Sequence, residues 1–231
     1  MADWKLRVGR FLFKHRSFTP IPVMIFIFII FKPVNLERQN IIIDVTGLLI
    51  SLLGEMIRVI SIGYAHSGTS GRESYLRAES LNVTGIYSIA RNPLYIGNFL
   101  MFSGLVAVFS NIYAILIFGL FLIFQYYFII LAEEYFLRES YGKDYETYCT
   151  LARRIIPTFK HYKKNRNSFN LKKVIYKEND SVFNMLMMYL FILLYKERFF
   201  TGNIGSPFYY IIAGVVLILC YIMIKVLKKR K

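Results

Sequence analysis

The chain has 231 residues, 56% of them hydrophobic, and a formal net charge of +15 at pH 7. Soluble domains are about 45–50% apolar, so the composition excludes an ordinary soluble domain and calls for long apolar helices. Cys149 and Cys220 are the two cysteines and lie in segments of different type, which excludes a disulfide framework or a cysteine metal site.

A bilayer core of about 30 Å needs about 20 mostly apolar residues per helix. Six stretches are candidates: 18–34, 41–64, 93–110, 112–132, 182–200 and 207–227, of which the first is short and proline-flanked and the fifth could instead lie against the protein or the interface. Mostly polar residues precede the first, and "FKPVN" after it is no small-residue cleavage site, so it reads as a retained helix and not a signal peptide. The second carries Asp44, Glu55 and Arg58. Residues 66–92 are polar and punctuated by glycine. The third and fourth stretches are joined only by Ser110-Asn111, which dictates an antiparallel hairpin. Beyond it, Leu137, Tyr141, Tyr145 and Tyr148 recur at helical spacing, with Gly142 as a kink. Such an aromatic segment after an apolar helix is expected in the membrane interface. A lysine-rich stretch over 160–177 follows, and the last two apolar stretches carry no chemical signature. The expectation is an all-α polytopic membrane protein of about six transmembrane helices with a cytosolic cofactor pocket. Its parts would be 1–65 (a cytosolic segment and two membrane helices), 66–159 (the core) and 160–231 (a basic segment and two further helices).

With the N-terminus inside, 24 of the 29 Lys and Arg residues fall on the inner side and 4 in outer loops. That asymmetry follows the positive-inside rule and puts both termini in the cytoplasm. It favours anionic lipid headgroups over nucleic acid. No protein partner is indicated.

The stretch "GIYSIARNPLYIGN" at 85–98 opens the hairpin. Asn92 reads as a helix cap and Pro93 as the first helical residue, where its missing N–H is harmless. The first turn then offers free amides and the positive end of the helix dipole, with Arg91 just before it, and suits an anion. Glu133 and Glu134 close the other arm of the hairpin at the same membrane face. Paired carboxylates in an apolar helix point to function, and acids facing an anion site suit a zwitterionic ligand. Gly85 and Gly97 allow close packing, and Tyr87 and Tyr95 supply flat walls.

The pair "GIYSIARNPLYIG" and "EEYFLRESYGKDYETY" resembles the isoprenylcysteine carboxyl methyltransferase family and its bacterial phospholipid-methyltransferase-like relatives, over residues 81 to about 157. The resemblance implies a membrane enzyme that binds S-adenosylmethionine at the cytosolic face and methylates a lipid-borne acceptor. It implies cofactor contacts at Leu81, Asn82, Tyr87, Asn92, Pro93, Leu94, Tyr95 and Glu133, and catalytic roles for Arg91 and Glu134. Asn92 stands where prenylcysteine enzymes have histidine, and Ile129 where they have a substrate arginine. The longer stretch "GTSGRESYLRAESLNVTGIYSIARNPLYIGN" looks like the enzymes that methylate the phosphate of lipid A in the bacterial inner membrane. Arg72 and Arg77 are then substrate-binding candidates, since guanidinium and phosphate geometries match.

No nucleophile–His–acid set is visible, and an ionised phosphate needs no base before it attacks a methyl group. The alternatives are methylation of an isoprenylcysteine carboxylate or of phosphatidylethanolamine, an NADPH-dependent sterol-reductase-like enzyme, and a non-catalytic lipid-binding scaffold.

Overall fold

The computed structural model describes residues 3–34, 39–66, 76, 79–202 and 207–229. Arg72 and Arg77 lie outside the described residues. Among those described, the architecture is all-helical, with one isolated bridge, Ala90 to Arg153, and no strand.

Helix α1 (Asp3–His15) packs against the rest of the protein. It buries Leu6, Gly9, Leu12 and Phe13 and leaves Asp3, Arg7 and Arg10 exposed. Gly9 meets α6 (Ile112–Tyr141) so closely that an added Cβ would stand 2.8 Å from Ala132 Cβ. A 78° bend follows, after which α2 (Pro20–Ile30) begins with proline in its first turn. Thr19 at the bend donates to the buried Gln125 of α6 at 2.5 Å, so the turn is tied to the bundle.

Helix α3 (Gln39–Tyr64) and α5 (Pro93–Val108) form the tightest pair. A Cβ on Gly54 would lie 2.5 Å from Gly97 O and 2.5 Å from Met101 N. One on Gly97 would lie 2.7 Å from Gly54 O. Gly104 is similarly closed in by Gly47 and Ser51, and Ser51 Oγ donates across to Met101 O at 2.9 Å. Small residues with a hydroxyl bond between backbones are the usual means of helix association in lipid, where there is no hydrophobic drive.

Asn111 accepts from Tyr113 N and Ala114 N and so caps α6, closing the expected hairpin. At the other end, Gly142 (φ +49°) separates α6 from α7 (Lys143–Leu151). The aromatic face predicted for the interface is used inside the protein. Tyr145 and Tyr148 are buried, and Leu81, Val83, Leu137 and Tyr141 pack against them. The chain after α7 then runs back along residues 85–92, crosses to the end of α3, and enters α8 (Leu171–Thr201) and α9 (Pro207–Lys229).

Among the described residues, three helices are long and apolar enough to cross a membrane: Asn40–Tyr64, Ile112–Tyr141 and Phe208–Lys228. The bent pair α1–α2 would make a fourth. Length and composition therefore support three or four spans, not the six expected. At 1.5 Å per residue, α5 with its 16 residues reaches only about 24 Å. The stretch 182–200 is the apolar half of the longer α8, whose first turns carry Lys172, Lys173, Lys177, Glu178 and Asp180.

Candidate functional site

Residues 85–92 are held from behind by the segment that follows α7. Gly85 (φ +60°) donates its N–H to Lys163 O at 2.7 Å, and a side chain there would strike Asn165. Ser88 Oγ accepts from Lys163 N, Thr158 N donates to Ile89 O, and Arg91 N donates to Arg153 O. The short turn α4 (Ile86–Ile89) is tied to α7 through Tyr148, whose hydroxyl donates to Tyr87 O at 2.7 Å. Backbone that would otherwise be unpaired at a helix entry is thereby satisfied.

Asn92 occupies the N-cap position of α5 and Pro93 its first turn, but the Asn92 side chain makes no cap. Its amide instead donates to Arg154 O at 3.1 Å. The capping expectation is corrected to that extent. The tail that runs past residues 90–92 offers a carbonyl, and the side chain takes it.

Arg91 and Glu134 meet. Arg91 Nη2 lies 2.8 Å from Glu134 Oε1, and its Nη1 donates to Ala152 O at 2.7 Å. Arg154 adds a second guanidinium, with Nη2 2.5 Å from Glu134 Oε2. The Glu134 side chain is 3% exposed. Burial pulls the Arg91 guanidinium down, but the hydrogen bonds and charge of Glu134 outweigh it and raise the net value above the ordinary one. The hydrogen bond to Glu134 likewise raises Arg154. The group is a fixed carboxylate between two permanent cations, charge-assisted on both sides.

Glu133 sits elsewhere. It lines a cavity of about 1240 Å³ that runs between α2, α5, α6 and α8. Leu81, Asn82, Tyr87, Arg91, Asn92, Pro93, Leu94 and Tyr95 line the same cavity, whereas Glu134 does not. The Tyr95 hydroxyl is bonded to Glu133. Burial and the nearby Glu133 charge push the Tyr87 phenol up, so it stays a neutral donor. Asn82 accepts from His66 N at 3.0 Å, with the His66 ring nitrogen Nδ1 2.9 Å away. The end of α3 thus orients Asn82.

Other lining residues carried no weight in the sequence. Arg16 from the α1–α2 bend, Asn98 and Tyr126 face the cavity, as do Arg58, Glu178, Ser181 and Asn184. Arg58 and Glu55 were visible as charges in an apolar helix. Glu178 and Ser181 had no such signal, because they stand in a polar stretch where charge is unremarkable. Farther from the α5 N-terminus the walls are apolar, with Met24, Phe28, Met101, Leu105, Met188 and Phe191.

Fold and site together define an all-helical membrane-type protein with a large cavity, polar at one end and apolar at the other. Residues 43–144 match the family model described as phospholipid methyltransferase, which bears out the resemblance to the phospholipid/isoprenylcysteine methyltransferase-like membrane family. That family suggests a membrane methyltransferase acting on lipid. No curated protein and no solved structure matches the chain.

Proposed function

We propose that the protein transfers a methyl group from S-adenosylmethionine to an oxygen of a lipid-linked phosphate. The observation that carries this reading is the single cavity shared by all eight residues that the resemblance assigns to the cofactor. The residues present suit a zwitterionic, nucleoside-bearing molecule. Glu133 and Asn82 offer a carboxylate and an amide, Tyr87 and Tyr95 aromatic faces, and Leu81, Pro93 and Leu94 apolar contact. Next to them stand Arg91 and the α5 N-terminus, which favour an anion. Bound there, the cofactor supplies a methyl group on a sulfonium, ready for in-line displacement.

The chain's own residues have three tasks. Arg16 and Arg91 face the cavity and attract the anionic acceptor to its polar end. The two neutral tyrosines and the surrounding apolar side chains keep water from the attacking oxygen. Glu134 acts as a positioning residue, holding Arg91 beside the Ala152 carbonyl in the segment after α7, with Arg154 on its other oxygen. A phosphate is ionised near neutral pH, so no side chain has to accept a proton before attack. Holding donor and acceptor in line accounts for about 7–11 kcal/mol in favourable cases. Arg72 and Arg77 complete the phosphate grip in this reading, and the positive-inside count supports a cavity mouth on the cytosolic face. Lipid A is the acceptor most in keeping with the sequence pattern.

Calorimetric titration of the detergent-solubilised protein should show binding of S-adenosylmethionine and none of NADPH. Lipids from cells with the gene should carry a lipid A species heavier by one methylene unit than those from cells without it. Methylated phosphatidylethanolamine with unchanged lipid A overturns the choice of acceptor.

A further inference from the structure

The segment between α7 and α8 has a surface that the cavity does not account for. Residues 147–177 carry nine Lys and Arg and no Asp or Glu. Within them, α7 ends at Leu151 and α8 begins at Leu171, so the intervening strap is irregular backbone. Its large apolar side chains face outward: Ile155 is 46% exposed, Ile156 66%, Phe159 72% and Tyr162 53%. Arg153, Lys160, Lys163 and Lys164 are interleaved with them and are exposed as well. Four bulky apolar side chains in eight residues are costly to hold in water and mark a surface that is covered. Nucleic acid would account for the lysines but not for the aliphatic pair. Bulky apolar groups alternating with cations suit the headgroup region of an anionic leaflet, where the first sink and the second meet phosphate.

The level of the strap in the molecule agrees with this. Asn92 donates to Arg154 O at 3.1 Å, and Pro93 opens the apolar run of α5. Arg154 also reaches Glu134, where the apolar part of α6 ends. Ile155 and Ile156 therefore leave the protein at the height where its apolar helices begin. The same strap is the support of the site entry. Gly85 N donates to Lys163 O, Thr158 N to Ile89 O and Arg91 N to Arg153 O. A force that holds the strap flat also holds residues 85–92, and with them Arg91.

We propose that residues 153–164 dock on the anionic leaflet of the membrane, with Ile155, Ile156, Phe159 and Tyr162 inserted and the lysines on lipid phosphates, and that this docking sets the cofactor entry. The coupling rests on the reading that S-adenosylmethionine binds beside Arg91; the docking does not.

The test uses the full chain in lipid nanodiscs of phosphatidylcholine, with or without a third of phosphatidylglycerol. Trp4 is the chain's one tryptophan, so Phe159→Trp in a Trp4→Phe background reports the strap alone. Bromine atoms on the lipid acyl chains should quench Trp at 159 about threefold more strongly in the anionic discs. S-adenosylmethionine should bind wild type about tenfold more tightly there than in neutral discs. The variant Lys160→Gln/Lys163→Gln/Lys164→Gln should bring both differences to about twofold or less. Ile156→Ser/Phe159→Ser, which keeps every charge, should do the same to the cofactor difference. All these side chains are exposed, so melting temperatures should stay near that of wild type. Equal quenching in the two discs, or quenching that survives the lysine variant unchanged, overturns the docking. Cofactor affinity indifferent to lipid composition overturns the coupling. If wild type binds no S-adenosylmethionine in either disc but Trp at 159 is quenched as expected, the methyltransfer reading falls and the docked strap stands. If the cofactor binds and Trp at 159 is not quenched, the reverse holds.

Discussion

Neighbouring residues on a helix point about 100° apart, so Glu133 and Glu134 have different surroundings despite adjacent positions in the sequence. Glu133 faces the cavity with Tyr95, and Glu134 is enclosed by Arg91 and Arg154. Their amide variants should therefore separate. Glu133→Gln should weaken S-adenosylmethionine about tenfold or more in a calorimetric titration, with little change in melting temperature. Glu134→Gln leaves Arg91 facing no counter-charge. Breaking a buried pair costs about 3–5 kcal/mol, with the lower end expected because Arg154 is 45% exposed. That corresponds to a fall of about 10 °C in a thermal unfolding scan. Arg91→Lys should fall between wild type and Glu134→Gln in melting temperature, because a point charge cannot reach Glu134 and Ala152 O together as the guanidinium fork does. These positions were legible in the sequence because their chemistry is compact: Asn-Pro marks a helix entry, and paired glutamates in an apolar run are conspicuous. The roles within the pair were not legible. They depend on Arg154, which reaches Glu134 only because the chain folds back after α7.

At the level of elements, α5 carries the cavity residues from Asn92 to Asn98, and its position is set by contact with α3. Gly54→Ala puts a methyl group 2.5 Å from Gly97 O, and neither backbone can give way cheaply. Overpacking of this kind costs about 1–3 kcal/mol. It should lower the melting temperature and weaken cofactor binding together, since α5 must shift. Gly119→Ala is the matched control. A Cβ at that position on α6 meets nothing within 4 Å, and replacing a helical glycine should be neutral or stabilise by up to about 1 kcal/mol. The hairpin of α5 and α6 could be read from its two-residue link. The four-glycine contact of the α3–α5 pair could not be recognised as such, because glycine spacing shows a close approach only once the partner helix is known. What covers the tyrosine stripe of α6 and α7 was illegible for a similar reason. Periodicity identifies an apolar face, but Leu81 and Val83 cover it from more than fifty residues away.

For the molecule as a whole, the charge count predicts both termini in the cytoplasm. A fluorescent protein fused after Lys231 should be bright, and alkaline phosphatase fused at the same point should be inactive in intact cells. The opposite result would turn the cavity mouth to the other face. Helix number was the least legible global property. Six apolar stretches suggested about six spans, but polar first turns make α8 a long column beside α3 and α5, with cavity-facing groups at 178, 181 and 184.

Every partner that immobilises Arg91 is encoded after it: Glu134, then the carbonyls of Cys149 and Ala152. During synthesis the ribosome therefore delivers an arginine at the start of α5 well before its counter-charge exists. The entry can adopt its final shape only when residues past 150 have emerged. A fragment cut at the limits of the family match, 43–144, would hold Glu134 but lose Ala152, Arg154 and the backbone of Lys163. Formation of the α5 entry is thus a late event, and a nonsense codon within α7 should leave a product that does not bind S-adenosylmethionine.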